Sequence, residues 1–479
     1  MSDNIQIKIP LNWELISIKE SINKYPLTGK KLNQKEYEKE GLFPVIDQGQ
    51  SYIGGYSNRN DLIISSENPF IIFGDHTLKI KFINFDFIAG ADGVKVFQAK
   101  KFFYPKLFYY FSQAVKFPHK GYARHFQFFE KAEIPLPPLA EQHRIVEKIE
   151  EEFTRLDAGV AALKRAKALI PKYRQSVLKA AMCGDLTKEW RALHPDVESA
   201  EVLVEKKSKT YGSNQNLSER SNKFDINNKL PNKWVLANSK EIGIINPKKN
   251  LSNIKDSDIV SFIPMKCVSE LSGEIDLSEQ KRLQEVKKGY TQFINGDILF
   301  AKITPCMENG KVALVNDLIN SIGFGSTEFH IFRFNSRLNR KFFFYYLIQE
   351  GFRRDAKRKM TGSAGQLRVP KSFLENIMFP LPPLEEQHEI VSEIERRFSI
   401  IDEMERVVEE SLLKAERLRQ SVLKKAFEGR LVEQSPDDEP AGVLLERIKA
   451  EKELRAAEGK ANGKKKSAGK KKIKKKESE

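Results

Sequence analysis

The chain has 479 residues, 40% of them hydrophobic and 30% charged, with a formal net charge of +16. That length allows about two to four domains, and 32 Phe residues are ample for real cores. No apolar run is long enough to cross a bilayer, the start lacks a basic stretch followed by an apolar one, and Cys183, Cys267 and Cys306 form neither a metal spacing nor a disulfide framework, so a cytoplasmic protein without a membrane partner is expected.

Residues 1–138 read as a first globular domain. Pro10-Leu-Asn-Trp13 opens it, and short β-rich runs follow at Leu62-Ile-Ile-Ser, Phe70-Ile-Ile-Phe and Leu78-Lys-Ile-Lys-Phe-Ile, separated by turn signals. An aromatic helix-like segment spans Phe102 to Phe111. Two stretches are dense in hydrogen-bonding and basic side chains. One carries Gln48, Gln50 and Tyr52 and continues to Tyr56 and Arg59; the other is His119-Lys120-Gly121-Tyr122-Ala-Arg124.

Residues 139–185 read as a long helix. Pro135-Leu-Pro-Pro-Leu precedes it, with prolines suited to a first turn, and Glu141 stands near the positive end. Ile145, Ile149, Phe153, Leu156, Val160 and Leu163 recur in steps of four and three, one apolar seam among charged residues. Pro171 is expected to kink or interrupt this helix near Ile170, and Gly184 to stop it. Residues 186–229 are assigned to a linker, whose stretch Lys206 to Lys229 is polar and rich in Ser and Asn.

Residues 230–383 read as a second globule. It opens with Pro231-Asn-Lys-Trp234, carries strand-like runs at Lys311-Val-Ala-Leu-Val and Phe329-His-Ile-Phe-Arg-Phe, and closes with aromatic Phe342 to Leu347. Its candidate surface residues are Lys302, Thr304, Asn309 and Lys311, in a Pro/Gly loop, then Lys359, Gly362, Ser363, Gln366 and Arg368. Residues 384–431 form a second long helix with a seam of Ile390, Ile394, Phe398, Ile401, Val408, Leu412 and Ala415, ended by Gly429. Residues 432–479 are a charged tail: Lys460 to Glu479 holds ten Lys and two Glu, +8 of the +16, and should be disordered by self-repulsion.

The helices repeat each other. Residues 135–186 align on 380–431 at a constant offset of 245, with 23 of 52 positions identical, while the globules have diverged in length and content. A repeat this long is a duplicated half-molecule and not a solenoid unit. Each helix spans about 40 residues, roughly 60 Å at 1.5 Å per residue. The matching seams favour the two helices packing on each other as an antiparallel coiled coil, with pseudo-twofold symmetry, over each packing on its own globule. The expected fold is therefore α+β: two mixed α/β domains separated by two long antiparallel coiled-coil helices.

Catalytic motifs are missing. There is no phosphate-binding loop and no Gly-x-Gly-x-x-Gly cradle. Asn68-Pro69-Phe70 lacks the second proline of an amino-methyltransferase motif, and no cofactor-binding glycines precede it. The seven His include no His-x-x-x-His pair; His143 and His388 repeat because the helices repeat, and read as capping or packing residues. No metal site or catalytic residue is assigned. The loops are better suited to binding nucleic acid. Small residues let a backbone approach a phosphate, Lys and Arg neutralise it, and Gln, Asn or Arg can read base edges.

Divergent globules alternating with near-identical helices, Pro-Leu-Pro-Pro-Leu-x-Glu-Gln at the junctions, Arg-Gln-Ser-Val-Leu-Lys near the helix ends, and Lys302-Ile-Thr-Pro-Cys-Met-Glu-Asn-Gly-Lys311 closely resemble the specificity subunits of Type I restriction–modification systems. The resemblance runs from Pro10 to Leu431; the segment Ser435 to Gly459 and the lysine tail lie outside it. It implies that each globule is a target recognition domain for half of an asymmetric, bipartite double-stranded DNA sequence. It implies, too, that the helices hold the domains apart and dock two modification subunits, joined by restriction/translocase subunits. Ile145, Ile149, Phe153, Leu156, Ile390, Ile394, Phe398 and Ile401 are the residues assigned to coiled coil and docking. This chain would then bind no cofactor; S-adenosylmethionine, ATP and Mg²⁺ are expected on the partner subunits. Two other classes stay open: a coiled-coil adaptor for protein partners, and a self-contained DNA methyltransferase or nuclease.

Overall fold

The structure, a computed structural model, describes residues 9–90, 93–115, 124–204, 230–252, 254–363, 365–451 and 453. The chain divides into two units, Met1–Leu163 with Glu410–Glu479, and Lys164–Glu409. Each long helix thus gives its first part to one unit and its last part to the other.

In the first unit one antiparallel sheet is ordered Ile22–Lys24, Val94–Ala99, Phe70–Gly74, Ile80–Ile83. Phe70–Gly74 is buried along its whole length, as expected of a central strand made of aromatic and β-branched residues. A second sheet is ordered Gly55–Ser57, Phe43–Ile46, Phe87–Ala89, Ile63–Ile64, with its middle pair parallel. The second unit repeats both sheets strand for strand. One runs Gly243–Ile245, Phe329–Phe334, Ile298–Ala301, Val312–Leu314; the other Gln280–Arg282, Ile259–Ile263, Ile322–Gly325, Thr291–Ile294, again with the middle pair parallel. The globules share a topology that their sequences no longer display.

The helices span Leu139–Met182 and Leu384–Phe427, 44 residues each. A short strand leads into each, Glu133–Leu136 and Met378–Leu381, paired with Glu14–Ser17 and Val235–Asn238. This pairing brings the opening tryptophan of each globule to the helix start. Trp13 Nε1 donates to the buried Glu141 at 2.8 Å, and Trp234 Nε1 to the buried Glu386 at 2.8 Å. The next residues, Gln142 and Gln387, donate to the carbonyls of Pro137 and Pro382 at 3.0 and 2.9 Å. They accept from the Tyr104 and Asn339 amides. The repeated Glu-Gln is therefore a buried weld between globule and helix. His143, whose ring is tilted against that of Tyr104 with centroids 4.1 Å apart, and His388, 3.0 Å from Asn339, are packing residues of the same weld.

The far ends repeat as well. Gly184 (φ +76°) and Gly429 (φ +66°) take the left-handed conformation that closes a helix, and the Asp185 and Arg430 amides reach back to Ala180 and Lys425 at 2.9 and 2.8 Å. A Cβ at Gly184 would lie 2.6 Å from Pro231, and one at Gly429 2.4 Å from Pro10. Each helix thus ends on the globule that the other helix leaves. Arg174 lies over the Phe398 ring at 5.2 Å and pairs with Asp402; Arg419 lies over Phe153 at 4.1 Å and pairs with Asp157. All four partners are related by the offset of 245. Within the second unit Lys167–Glu409 and Arg174–Asp402 run in opposite senses, so the packing there is antiparallel.

Four expectations need correction. Pro171 does not interrupt its helix; it sits on an exposed face, where the carbonyl it orphans can bond water. The seams do not choose between coiled coil and globule. Ile145, Ile149, Phe153 and Leu156 join one core with Trp13, Phe108, Leu423 and Ala426; Ile390, Ile394, Phe398 and Ile401 join another with Trp234, Phe343, Val177 and Leu178. The first half of each seam faces a globule because the weld holds it there, so none of the eight is an exposed surface: six are buried core, and Leu156 and Phe398 pack half-buried against it.

The linker assigned to 186–229 begins too early: Lys188–Leu193 is helical and Ala200 and Leu203 are buried on the second globule. Likewise the tail assigned from 432 starts with a folded strap, with Ala441 and Leu444 buried on the first globule. The two straps dock alike, Ala200 N–H donating to Lys233 O at 3.1 Å and Ala441 N–H to Asn12 O at 3.0 Å. Both segments hold apolar residues at helical spacing, which gives them a core to join. Lys206–Lys229 and the lysine tail lie outside the described residues.

Candidate nucleic-acid interface

In the second unit the loop 302–311 joins Ile298–Ala301 to Val312–Leu314, and a hairpin, 361–368, locks onto it. Thr361 and Arg368 exchange backbone bonds of 3.0 and 2.9 Å. The Thr304 N–H donates to Leu367 O at 3.0 Å, and its hydroxyl donates to Gly365 O and accepts from Leu367 N–H, both at 3.2 Å. The buried His330 anchors the hairpin's end, with Nε2 2.8 Å from Val369 O and Nδ1 2.9 Å from Asn246 Nδ2. Burial holds its imidazole below the usual histidine range, so it is neutral, donating through Nε2 and accepting through Nδ1.

The hairpin brings most of the expected residues together, and many are already engaged. Arg368 Nε and Nη2 each donate to Glu328 at 2.9 Å, and Nη1 to Gln366 O at 3.1 Å. The pairing raises the guanidinium's pKa and lowers the carboxyl's. Lys302 donates to Thr327 O at 2.6 Å, Asn309 to Glu270 at 2.7 Å and Lys311 to Met265 O at 3.3 Å. Lys359, Gly362, Ser363 and Gln366 are exposed.

The first unit carries a shorter counterpart. Residues 75–79 join Phe70–Gly74 to Ile80–Ile83, where the second unit has 302–311. Gln48 braces this turn, its side chain accepting from His76 N–H at 3.2 Å and its carbonyl from the Thr77 hydroxyl at 2.6 Å. The buried Lys81 holds the carbonyls of Asp47 and Ser51 at 2.7 and 2.6 Å, and burial lowers its pKa. Asp75 accepts from Phe126 N–H at 2.8 Å and its carbonyl from His125 N–H at 3.1 Å, which tethers the exposed Arg124 nearby. Gln50 is exposed, and Tyr52 bonds the Phe82 carbonyl and packs edge-on to Phe85, ring centroids 6.3 Å apart. Tyr56 lies in the strand Gly55–Ser57, and Arg59 beyond it forks onto Asp61 at 2.8 and 2.7 Å. Lys120, Gly121 and Tyr122 lie outside the described residues.

Sequence reading missed the turn Asp75-His76-Thr77, Glu328 and His330. Only the matched sheet order identifies the turn as the counterpart of 302–311. The surviving signal for His330 was a polar residue next to the start of a mostly apolar strand, Phe329–Phe334.

Two globules of one topology, each with interlocked polar loops at its strand ends and each welded to a repeated helix, match a known pattern. The family model described as Type I restriction modification DNA specificity domain matches residues 10–164 and 221–410. The chain belongs to this family. Among Type I specificity subunits it is 34% identical to that of the EcoAI enzyme of Escherichia coli over 341 residues, 61% of this chain and 57% of that one. It is 25% identical to that of EcoDI, also of Escherichia coli, over 467 residues, 94% of this chain and 97% of that one. At the higher identities, with the EcoAI and EcoEI subunits, the match thus spans little more than half of the relative. Two solved structures share the fold at 18% identity. One is a chain from work on complex assembly and conformational transition of the type I R-M system (TM-score 0.55, 88% of this chain and 99% of that one); the other is the HsdS subunit of Thermoanaerobacter tengcongensis (0.50, 89% and 99%). Among the described residues no helix of this specificity-family chain is long and apolar enough to cross a membrane.

Proposed function

We propose that this chain is the DNA-recognition subunit of a Type I restriction–modification system, without catalysis of its own. Each globule reads one half of a bipartite double-stranded target, and divergent globules make that target asymmetric. The observation that carries this reading is the family match over both globules, each of which presents the same set of strand-end loops on the same topology. Among the described residues, Gln50, Arg124, Lys359, Ser363 and Gln366 are exposed side chains available to it, and Arg368 is partly exposed beside them.

The paired helices act as the frame on which two modification subunits and the restriction/translocase subunits assemble. The residues that meet them are not the buried seam. In the second unit Ile400, Met404 and Val407 form an exposed apolar stripe along one helix face, at spacings of four and three, lining a shallow groove with Ser399, Glu403 and Val408. S-adenosylmethionine, ATP and Mg²⁺ belong to the partner subunits in this reading, and the assembly works in the cytoplasm. Purified chain incubated with DNA, S-adenosylmethionine and Mg²⁺ should bind DNA and show no turnover; methylation or cleavage without other subunits would overturn the proposal.

A further inference from the structure

We infer that Arg368 reads a guanine in the half-site of the second globule, with Glu328 as its positioning residue. The inference rests on the DNA-reading function proposed above and deepens it. A guanidinium carries five N–H donors in one plane. Here the Nε–H and one Nη2–H face the Glu328 carboxylate, and one Nη1–H faces Gln366 O. One N–H is left on each terminal nitrogen, the pair of donors that matches guanine O6 and N7.

The plane of that fork is set before DNA arrives. Glu328 and Gln366 hold the guanidinium, while Thr304 and His330 hold the hairpin beneath it. The side chain has therefore already lost its rotamer freedom, which would otherwise weaken binding. The pair is also electrically near neutral, so Arg368 adds little to general attraction for phosphates. Its recognition is geometric, and geometry suits a base edge better than a phosphate. The side chain remains 39% exposed, and Gly362, Ser363 and Gly365 around it are small enough to let the backbone approach a groove. Arg59 makes a similar fork with Asp61, but that pair is exposed on both sides with no anchored hairpin beneath, and it receives no such role.

The test is selection of the full-length chain, assembled with its modification subunits, against duplexes with randomised half-sites. Wild-type protein should require G·C at one position of the second half-site. R368K keeps the charge and its Glu328 partner but not the fork. It should lose discrimination at that position by about five- to 150-fold and leave the other positions unchanged. E328Q should lose part of the discrimination at the same position, while the unbalanced Arg368 charge raises affinity for all sequences alike and steepens the salt dependence. In R368Q, which removes the charge, an even loss across all sequences with the salt slope reduced by about one would make Arg368 a phosphate contact and overturn the inference. A change at a position that is not guanine, or no change, would do the same. If the wild-type chain selects no sequence, the DNA-reading function itself has failed and the inference falls with it.

Discussion

The two buried carboxylates at the helix starts occupy repeated positions and have different partners. Glu386 accepts from Trp234, Thr187 and the Arg191 guanidinium, whose Nη2 is 2.7 Å away. Glu141 accepts from Trp13 and Gln434, while Arg144 turns aside to Asp438 at 2.6 Å; burial lifts the Glu141 carboxyl above its ordinary range. Arg191→Ala strands a buried charge and should destabilise the second unit by about 3–5 kcal/mol. Arg144→Ala breaks a pair whose arginine is 37% exposed and whose Asp438 is 8% exposed, and should cost the first unit less, about 1–2 kcal/mol. Urea unfolding of both variants checks this, and equal losses would contradict it. His330 yields a pH prediction. A histidine depressed in the folded state contributes stability that is complete above its ordinary pKa, about 6.5, and is lost as pH falls through the folded value. Amides of the hairpin, corrected for intrinsic exchange, should lose protection as pH falls below about 6.5, and H330Q should abolish the difference. Unchanged protection in the wild type would remove the anchor role.

At the scale of elements, the helices were legible because their signals are local. Prolines, Ile at steps of four and three, and terminal glycines all act within a few residues. The repeated Arg174 and Arg419 were visible as a motif, but not what they hold, since Phe398 and Phe153 lie on the other helix. The straps escaped notice because Ala200-Glu-Val-Leu203 and Ala441-Gly-Val-Leu444 match at an offset of 241, four residues out of step with the helices. Truncation after Val432 removes Ala441 and Leu444 from the core that holds Trp13. It should leave the second unit's unfolding unchanged and lower the first unit's midpoint by several degrees, measured by calorimetry. A full-stability truncate would mean the strap is an ornament. A further expectation concerns length: inserting one helical turn in both paired helices, about four residues or 5–6 Å, should change the gap between half-sites by about 1–2 base pairs. An unchanged gap would end the view of the helices as a ruler.

Across the whole molecule, the proposed function gives the repeated parts the role of frame and the divergent parts that of carrying the information. Weld, pairing arginine, terminal glycine and strap each occur twice, on residues that the duplication kept. The recognition loops occur twice in topology alone, 75–79 being half the length of 302–311. This explains why the frame could be read from sequence and the loops only in part. Lys302, Asn309 and Arg368 drew attention through charge and hydrogen-bonding capacity, yet their partners Thr327, Glu270 and Glu328 lie 25–40 residues away, and folding alone decides which donors stay free. The most direct test of this division exchanges residues 1–138 for the first globule of another specificity-family chain and maps methylated bases genome-wide in cells that also carry the modification subunits. One half of the methylated motif should change while the other half and the gap persist. Change in both halves, or in neither, would contradict the account.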